Sequence, residues 1–473
     1  IHGIGQAERD YYVPIDDLKQ HTLIPGSTGT GKTRMLDLFI TQVIARGDAV
    51  VAIDPKSDPE LQRVMRVACE RFRKPGTFNY FNLAYPEKSI RLSPTRTWNR
   101  STEIANRIAS LIPSETGNDP FKSFAQMMLD KVIQGMLAAR MPVTLVNIRR
   151  AVDNPETVLE RVFEACFEQA IGPTWREELE QLVKVQAPER RVAGYIRHYR
   201  QHLAASHPLL QAEGLIAVVE HDREHLGKMI ASLMPVLNVL TSSHLARLLS
   251  PSGEEEDDAP YGEVSTILNK GEVLYIGTDS LADGMTGSAV GSLFLSELTS
   301  IAATRYNYGD LKNERRIWVI VDESAEVVNG ESFVQLLNKS RGAGFSIVLC
   351  VQVLADFAAR LGSLDKAKQI LANVNAKVVL RIMESDTQEY ITEGMVKTQV
   401  ASVQVSHNEN ADTTQPFLFG AGYGERHTMA EAELIPPALI GELPNLEYFA
   451  LVGGAKMKGR IPILQLPAPQ PTG

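Results

Sequence analysis

An α/β fold with a mostly parallel central sheet, interrupted by an all-α domain, is predicted by three observations on the 473-residue sequence. A glycine-rich loop at 26–33 joins a short apolar run to a stretch with helical apolar spacing. Apolar runs typical of strands alternate with helical stretches before residue 96 and again after residue 262. Residues 101–250 are instead rich in Leu, Ala, Glu, Gln and Arg and are punctuated by prolines, which indicates a set of helices.

The elements of the α/β part are predicted in chain order. Strands are expected at 21–24, 49–53, 78–81, 272–277, 316–321, 345–351 and 377–382. Helices are expected after the glycine-rich loop, after the second strand, and at 287–305, 331–341 and 363–373. Because strands that are joined through helices run parallel and lie side by side, this order predicts one mostly parallel sheet.

Composition limits the other classes of protein. The net charge of −9 and the pI near 5.7 argue against a surface that is basic throughout, so any nucleic-acid contact must be local. Three scattered cysteines do not suggest a disulfide framework or a zinc site, and they fit a reducing compartment. The histidines lack metal-ligand spacing and no Ser-His-Asp context is evident, which disfavours a metal centre and acyl transfer.

Residues 26–33 fit the phosphate-binding pattern G-x-x-x-x-G-K-[ST] at every fixed position. Glycines let backbone N–H groups approach a phosphate at a helix N-terminus, where the helix dipole favours negative charge. The ammonium of Lys32 is expected to reach the β- and γ-phosphates, and the Thr33 hydroxyl is expected to ligate Mg²⁺. The sequence therefore predicts an ATPase that binds ATP and Mg²⁺ at Gly26, Ser27, Thr28, Gly29, Thr30, Gly31, Lys32 and Thr33.

A second catalytic element is predicted where the apolar run 316–321 ends in Asp322 and Glu323. An acidic pair at the end of such a strand is typical of a Walker B element, with Asp322 in the Mg²⁺ shell and Glu323 activating water. Gln352 ends the next strand and is a candidate sensor of the γ-phosphate, because the carboxyl ends of parallel strands face the ligand crevice. The alternative is that Gln352 only caps its strand.

These segments together resemble the type IV coupling proteins, the TraD/TraG-like members of the FtsK/HerA motor superfamily. The resemblance covers nearly the whole chain. It rests on the loop 26–33, Asp54-Pro55-Lys56, Asp322-Glu323, the segment Lys339-Ser340-Arg341-Gly342-Ala343-Gly344, and Gln352. Two features depart from the family. Its N-terminal transmembrane helices are missing from a chain that begins at Ile1, and Ser57-Asp58 stands where the family often has Gly-Glu.

The resemblance implies a RecA-like P-loop NTPase domain in two segments, residues 1–95 and 263–466, on either side of an all-α domain at 96–262 that recognises substrate or DNA. Residues 467–473 are expected to be a disordered tail. It also implies a DNA-translocating motor that forms a hexamer when membrane-anchored, at the cytoplasmic face of the bacterial inner membrane. The chain itself is expected to be soluble, without its anchor. The implied partners are single- or double-stranded DNA, relaxase or relaxosome proteins, and components of a type IV secretion channel used in conjugation.

By the same resemblance Arg341 is the arginine finger, which would act on the nucleotide of a neighbouring subunit. A structural arginine at the end of helix 331–341 is the alternative, and Arg381 is a second candidate for the finger. The alternative functions are another motor of the superfamily, such as a chromosome pump or a secretion-channel assembly ATPase, and a weakly hydrolysing nucleotide-binding scaffold.

One stretch, 190–200, interleaves basic and aromatic residues at helical spacing. It predicts either a surface that contacts phosphates and stacks on bases, or a solvated basic face with tyrosines packed beneath it. The sequence leaves both interpretations open.

Overall fold

The computed structural model describes residues 10–113, 119–172, 174–177, 179, 191–251, 260–310, 314–328, 330–393, 395, 397–411 and 419–465. Within these residues, nine strands form one central sheet, and two further pairs of strands lie outside it. The strands in chain order are β1 (Thr22–Pro25), β2 (Ala49–Asp54), β3 (Phe78–Asn82), β4 (Arg91–Leu92), β5 (Tyr261–Gly262), β6 (Val273–Gly277), β7 (Ile317–Val321), β8 (Phe345–Val351), β9 (Ala376–Val379), β10 (Lys397–Ala411), β11 (Phe419–Glu433), β12 (Glu447–Val452) and β13 (Ala455–Arg460).

The central sheet has the strand order β13-β12-β9-β1-β8-β7-β2-β6-β3. The pairs β12–β9 and β12–β13 are antiparallel, and the other pairs are parallel. The mostly parallel α/β fold predicted from the sequence is therefore confirmed. Its middle strands β1, β8, β7 and β2 are buried along their whole length, which explains why they read as continuous apolar runs.

The helices lie on both faces of the sheet and in the segment between β4 and β5. They are α1 (Ile15–Leu18), α2 (Lys32–Arg46), α3 (Pro59–Phe72), α4 (Ser101–Ala109), α5 (Pro120–Ala138), α6 (Leu145–Asp153), α7 (Pro155–Ile171), α8 (Arg191–His198), α9 (Leu210–Val219), α10 (Arg223–Met229), α11 (Leu233–Leu240), α12 (Ser243–Leu249), α13 (Val264–Asn269), α14 (Gly284–Tyr308), α15 (Gly330–Lys339), α16 (Leu354–Leu361), α17 (Leu364–Ala372), α18 (Ser385–Thr392) and α19 (Pro437–Gly441).

Side chains alternate between the two faces along each strand, so the sheet has a core on each side. On one face Val50 and Ala52 of β2 pack with the apolar side of α2 and α3. On the other face Val51 and Ile53 pack with α14, and this core continues into the helical segment. The sheet is thus held rigidly between two layers of helices.

The segment between β4 and β5 consists of helices α4 to α12 in the described residues, as the composition predicts. The strands that flank it form a short parallel pair in which Arg91 lies opposite Tyr261 and Leu92 opposite Gly262. The chain therefore enters and leaves the helical segment at neighbouring points. The acidic run at 252–259 lies outside the described residues, as does the expected tail at 467–473.

Three features of the second half differ from the sequence-based expectation. The strand expected at 377–382 ends at Val379. An additional helix, α16, precedes α17 and is separated from it by Gly362 in a left-handed conformation. The third is a ribbon of two antiparallel strands, β10 and β11, most of whose described side chains are exposed. The sequence does not reveal the ribbon, because a strand that is exposed on both faces carries no apolar pattern.

A buried arginine connects the helical segment to the longest described helix, α14. Arg107 of α4 is fully buried, and its guanidinium donates hydrogen bonds to Pro94 O, to Thr97 O at 2.9 Å and to Ser300 Oγ at 2.8 Å. Burial raises the pKa of the neighbouring Glu297 to about 7, although the positive charge of Arg107 opposes that shift. The hydrogen bond from Arg107 to Ser300 joins α4 to α14 at this place.

His21, at the start of β1, connects three elements inside the protein. It is 2% exposed; its Nε2 lies 2.8 Å from Leu337 O, and its Nδ1 accepts a hydrogen bond of 3.2 Å from the backbone N–H of Ile347. Burial lowers the pKa of His21 from 6.5 to about 4, against the opposing effect of the Leu337 hydrogen bond. The folded protein thus holds the neutral ring.

We predict that His21 makes the protein less stable in mild acid. Above pH 6.5 both the folded and the unfolded state hold neutral His21. Between pH 6.5 and 4 only the unfolded state binds the proton, so the free energy of unfolding falls, by about 2 kcal/mol at pH 5. Urea unfolding at pH 7.5 and pH 5 would measure this loss, and His21→Gln should lose about 2 kcal/mol less between the two pH values. Equal losses in both proteins would contradict the prediction.

Candidate functional site

The candidate site lies at the carboxyl edge of three adjacent strands, β1, β8 and β7. The loop 26–31 follows β1, Gln352 follows β8, and Asp322 and Glu323 follow β7. Because parallel strands end at the same edge, residues more than 300 positions apart meet there. The hydroxyl of Thr28 donates a hydrogen bond of 3.3 Å to Gln352 Oε1, which joins the loop to β8.

The loop is held open by its backbone conformation. Gly29 and Gly31 have φ angles of 76° and 114°, values that side-chain-bearing residues rarely adopt. The Gly26 N–H donates to Val351 O and the Ser27 N–H donates to Arg381 O, at 3.0 and 2.8 Å. The first backbone hydrogen bond of α2 runs from Met35 N–H to Gly31 O, so the N–H groups of its first turn lack intrahelical acceptors. The N-terminus of α2 thus offers free backbone donors, which suits an anion.

Lys32 begins α2, and its ammonium is buried at 8% exposure. Its Nζ lies 3.5 Å from Glu323 Oε1 but has no hydrogen-bond partner among the described residues. A buried ammonium with unused donors is costly unless an anion binds it. This unsatisfied group shows that the loop fits a phosphate.

Asp322 and Glu323 leave β7 in a tight turn. The Asp322 N–H donates to Ile53 O at 3.1 Å, and Asp322 Oδ1 accepts from the Glu323 N–H at 3.0 Å. Glu323 has φ 40° and ψ 51°, a left-handed conformation that is costly for a residue with a side chain. Ser324 anchors the turn by donating to Cys350 O at 2.7 Å. The two carboxyl groups are consequently fixed on a strained but well-braced backbone.

The Glu323 carboxylate is surrounded by donors. Gln352 Nε2 donates to both of its oxygens, at 3.1 and 3.2 Å. Lys56 Nζ donates to Oε1 at 2.5 Å. In the sequence, Lys56 contributes only to the family resemblance, through Asp54-Pro55-Lys56, and no chemistry is predicted for it. The sequence also leaves Gln352 between two interpretations, and its contacts in the structure are with Glu323 and Thr28.

The two carboxyl groups have opposite pKa shifts. Burial, and then the negative charges of Asp54 and Glu323, raise the pKa of Asp322 to about 6. Burial alone would also raise the pKa of Glu323. The hydrogen bond from Lys56 and the positive charge of Lys32 outweigh burial, so the pKa of Glu323 lies below its ordinary value. A buried carboxyl group that resists ionisation, as Asp322 does, favours a nearby cation.

Asp54 shapes the turn that carries Lys56. It is fully buried, accepts a hydrogen bond of 2.7 Å from the Tyr275 hydroxyl, and accepts from the N–H groups of Lys56 and Asp58 at 2.9 and 2.6 Å. The continuous apolar runs of β2 and β6 give no sign that Tyr275 binds Asp54, because the hydroxyl reaches across from the neighbouring strand. Asp54 therefore supports the turn from inside the protein.

Arg341 is not brought to the phosphate loop of its own chain. It is exposed in the turn Ser340–Ala343, which precedes β8, whereas Gln352 follows β8. The seven residues of β8 place the two ends about 20 Å apart. Arg381 lies beside the loop instead; its backbone O accepts from Ser27, and its Nη2 donates to Asn445 Oδ1 at 2.6 Å.

The described residues of the basic stretch, 191–200, are helical, and one side of this helix is buried against the core. Arg190 lies outside the described residues. Tyr195 and Tyr199 are 7% and 1% exposed and pack against Phe163. Arg191 pairs with Glu160 at 3.2 Å and Arg200 with Glu220 at 2.7 Å. These contacts favour the interpretation with tyrosines packed beneath a basic face, and the two rings are not available for base stacking.

In the described residues, no group of three His, Cys, Asp or Glu side chains could hold a metal ion by itself. None of the helices that the structure describes is long and apolar enough to cross a membrane. The strand order, the loop 26–33 and the acidic pair define the class of P-loop NTPases.

Two family models match the chain. Residues 12–185 match the type IV secretion-system coupling protein DNA-binding domain, and residues 316–445 match the TraM recognition site of TraD and TraG. Together the two regions span more than half of the sequence. The chain belongs to the type IV coupling proteins. No curated protein sequence matches it significantly.

Solved structures share the fold. The unbound monoclinic form of the bacterial conjugative coupling protein TrwBdeltaN70 is 18% identical with a TM-score of 0.62, and the match covers 97% of this chain and 89% of that one. TrwB in complex with the non-hydrolysable ATP analogue ADPNP is 18% identical with a TM-score of 0.60 and the same coverage. TrwB in complex with ADP and Mg²⁺ is 17% identical with a TM-score of 0.59, covering 97% and 88%.

We predict that Gly31→Ala destabilises the protein more than Gly29→Ala. A Cβ at Gly31 would lie 2.9 Å from Leu446 Cδ2 in a backbone with φ 114°, whereas a Cβ at Gly29 meets no atom of the described residues within 4 Å. We expect losses of about 3 kcal/mol at Gly31 and about 1 kcal/mol at Gly29. Urea unfolding of both variants measures the difference, and equal losses would show that the contact with Leu446 carries no cost.

Proposed function

We propose that this chain is the ATP-driven motor of a type IV coupling protein, which moves DNA with its attached relaxase into a type IV secretion channel during conjugation. The observation that carries the proposal is the buried Lys32 ammonium. It has no hydrogen-bond partner among the described residues and lies 3.5 Å from a buried glutamate. Cations with unused donors next to a carboxylate are suited to phosphoryl transfer.

The residues fit ATP and Mg²⁺, which the TrwB complexes support by analogy. Thr28, Gly29, Thr30 and Gly31 would surround the phosphates with backbone donors, and Lys32 would bind the β- and γ-phosphate oxygens. Gly26 and Ser27 would hold the loop in place, because their N–H groups already donate to Val351 O and Arg381 O. Thr33 and Asp322 offer the oxygen ligands that Mg²⁺ prefers. When bound, Mg²⁺ would neutralise charge that develops on the phosphates.

The remaining steps belong to the side chains of this chain. Glu323 would accept a proton from the attacking water, and Gln352 would orient Glu323 through its two hydrogen bonds to the carboxylate. The Gln352 amide also contacts Thr28 of the loop, so it can register whether the loop is occupied. Gln352 thereby links phosphate binding to the base.

Arg341 is proposed to act on the site of a neighbouring subunit. Its exposure, and its place at the edge of the sheet opposite its own loop, support a role in trans. A guanidinium that crosses a subunit boundary would stabilise charge on the transferring phosphoryl group and couple hydrolysis to a ring of six subunits. Arg381, beside its own loop, is better placed to act within one subunit.

The domain boundaries and partners are part of the same proposal. We place the nucleotide-binding domain at 1–95 and 263–466 and the domain that recognises DNA or relaxosome proteins at 96–262. The family models for DNA binding and TraM recognition support these partners. We place the motor at the cytoplasmic face of the inner membrane, where a secretion channel opens.

We predict that Glu323→Gln separates nucleotide binding from turnover, whereas Lys32→Ala weakens both. Glutamine keeps the size of the side chain and the Asp322 carboxyl group but cannot accept a proton, so Mg-ATP should bind and hydrolysis should stall. The measurements are a titration with a fluorescent ATP analogue and a phosphate-release assay. Normal turnover in a folded Lys32→Ala protein would refute the ATPase assignment, and loss of binding in Glu323→Gln would make that residue a metal ligand.

We predict that Arg341→Ala and Lys32→Ala subunits, each inactive alone, regain hydrolysis when mixed. A mixed interface pairs an intact phosphate loop with an intact arginine, and the single Arg341→Ala variant should lose about 10³-fold in turnover. The assay follows phosphate release against the mixing ratio, with DNA present to promote assembly. Parental activity in Arg341→Ala, or an inactive mixture in which both proteins co-assemble, would make Arg341 structural.

A further inference from the structure

Lys56 makes the shortest polar contact to the proposed base. Its Nζ lies 2.5 Å from Glu323 Oε1, the same oxygen that faces Lys32 at 3.5 Å and Gln352 at 3.1 Å. The Glu323 side chain is only 9% exposed, so water reaches it poorly in this arrangement. A carboxylate oxygen that an ammonium already binds is a poor acceptor for a proton from water. The base is consequently held in an unproductive state.

The backbone and the side chain of Lys56 differ in freedom. Its backbone is fixed, because Asp54 accepts from the N–H groups of Lys56 and Asp58, and Ser57 has a φ of 56°. Its side chain is 38% exposed and carries the ammonium on a flexible stem of four carbons. The turn can therefore stay in place while the ammonium moves.

A second position for the ammonium is available nearby. Glu326 is exposed at the end of the turn Ser324–Glu326, and Lys56 is attracted electrostatically to it and to Asp322. The backbone O of Glu326 accepts a hydrogen bond of 2.7 Å from Ser288 of α14. If the Lys56 ammonium moves away from Glu323, the carboxyl groups of Glu326 and Asp322 can still balance its charge.

Resting on the ATPase function proposed above, we propose that Lys56 is a positioning residue that restrains Glu323 in the resting protein and must release it before hydrolysis. Lys56 thus acts through Glu323 and does not contact the reacting atoms. The proposal differs from a purely structural role because it predicts that removing the cation speeds the resting reaction.

The test compares ATP turnover without DNA in the parent, Lys56→Met, Lys56→Arg and the control Lys74→Met, which alters an exposed lysine of the same segment. Lys56→Met should raise kcat about 10-fold with an unchanged KM, since it removes one charged hydrogen bond. Lys56→Arg should restore the low resting rate, and Lys74→Met should match the parent. The double variant Lys56→Met/Glu323→Gln should be as inactive as Glu323→Gln, because the gain in rate requires the base.

Turnover in Lys56→Met that is equal to or below the parental rate, with Mg-ADPNP still bound, would overturn the proposal. Lys56→Gln provides a second neutral variant if Lys56→Met does not fold, and failure of both to fold would show that the ammonium is structural and the proposal wrong. A parent that neither binds nor hydrolyses ATP would instead refute the proposed function. Hydrolysis that depends on Glu323 but is not raised by Lys56→Met would refute the restraint alone.

Discussion

The adjacency of β1, β8 and β7 is the constraint on which the site depends. Each strand ends at the same edge of the sheet, and each delivers one part: the loop, Gln352, and the pair Asp322-Glu323. Helices on both faces hold these strands, so the relative positions of the three parts are fixed by the core and not by the loops themselves. The Lys32–Glu323 distance of 3.5 Å therefore reflects the geometry of the whole sheet.

Backbone strain is concentrated at the same edge. Glu323 adopts a left-handed conformation, and so do Gly29 in the loop and Ser57 in the turn after β2. Each such residue with a side chain costs about 1–3 kcal/mol, which the packed strands beneath it must offset. The strain places the Glu323 carboxylate where Lys56 and Gln352 both reach it. A relaxed turn at this point would direct the carboxylate elsewhere.

Much of this arrangement is readable from the sequence, for two physical reasons. The phosphate loop has fixed glycine spacing, and buried parallel strands read as apolar runs, so the class of fold is predicted correctly. Contacts between distant side chains leave no such pattern. Nothing in the run Asp54-Pro55-Lys56 indicates that Lys56 meets Glu323, because their contact depends on the order of strands in the sheet.

Exposed strands, and helices whose buried face is unknown, are the other features that the sequence predicts poorly. In the ribbon of β10 and β11, apolar residues such as Val400 and Val403 fall on opposite faces and are exposed, so the ribbon lacks the one-sided apolar pattern from which strands are predicted. The stretch 190–200 shows a related difficulty: the sequence leaves open whether Tyr195 and Tyr199 stack on bases or pack inside, and in the structure both are buried. Periodicity alone cannot tell which face of a helix is covered.

The short pair of β4 and β5 has a consequence for how this protein can change in evolution. Leu92 and Gly262 are partners on neighbouring strands, about 5 Å apart across the ladder, although the whole helical segment separates them in the chain. A segment that departs and returns at one point can be lengthened, shortened or replaced without altering the connectivity of the sheet. The segment would still have to keep the core that it shares with α14 and contacts such as that of Arg107 with Ser300. The helical segment and the central sheet can on this account diversify at different rates within one polypeptide.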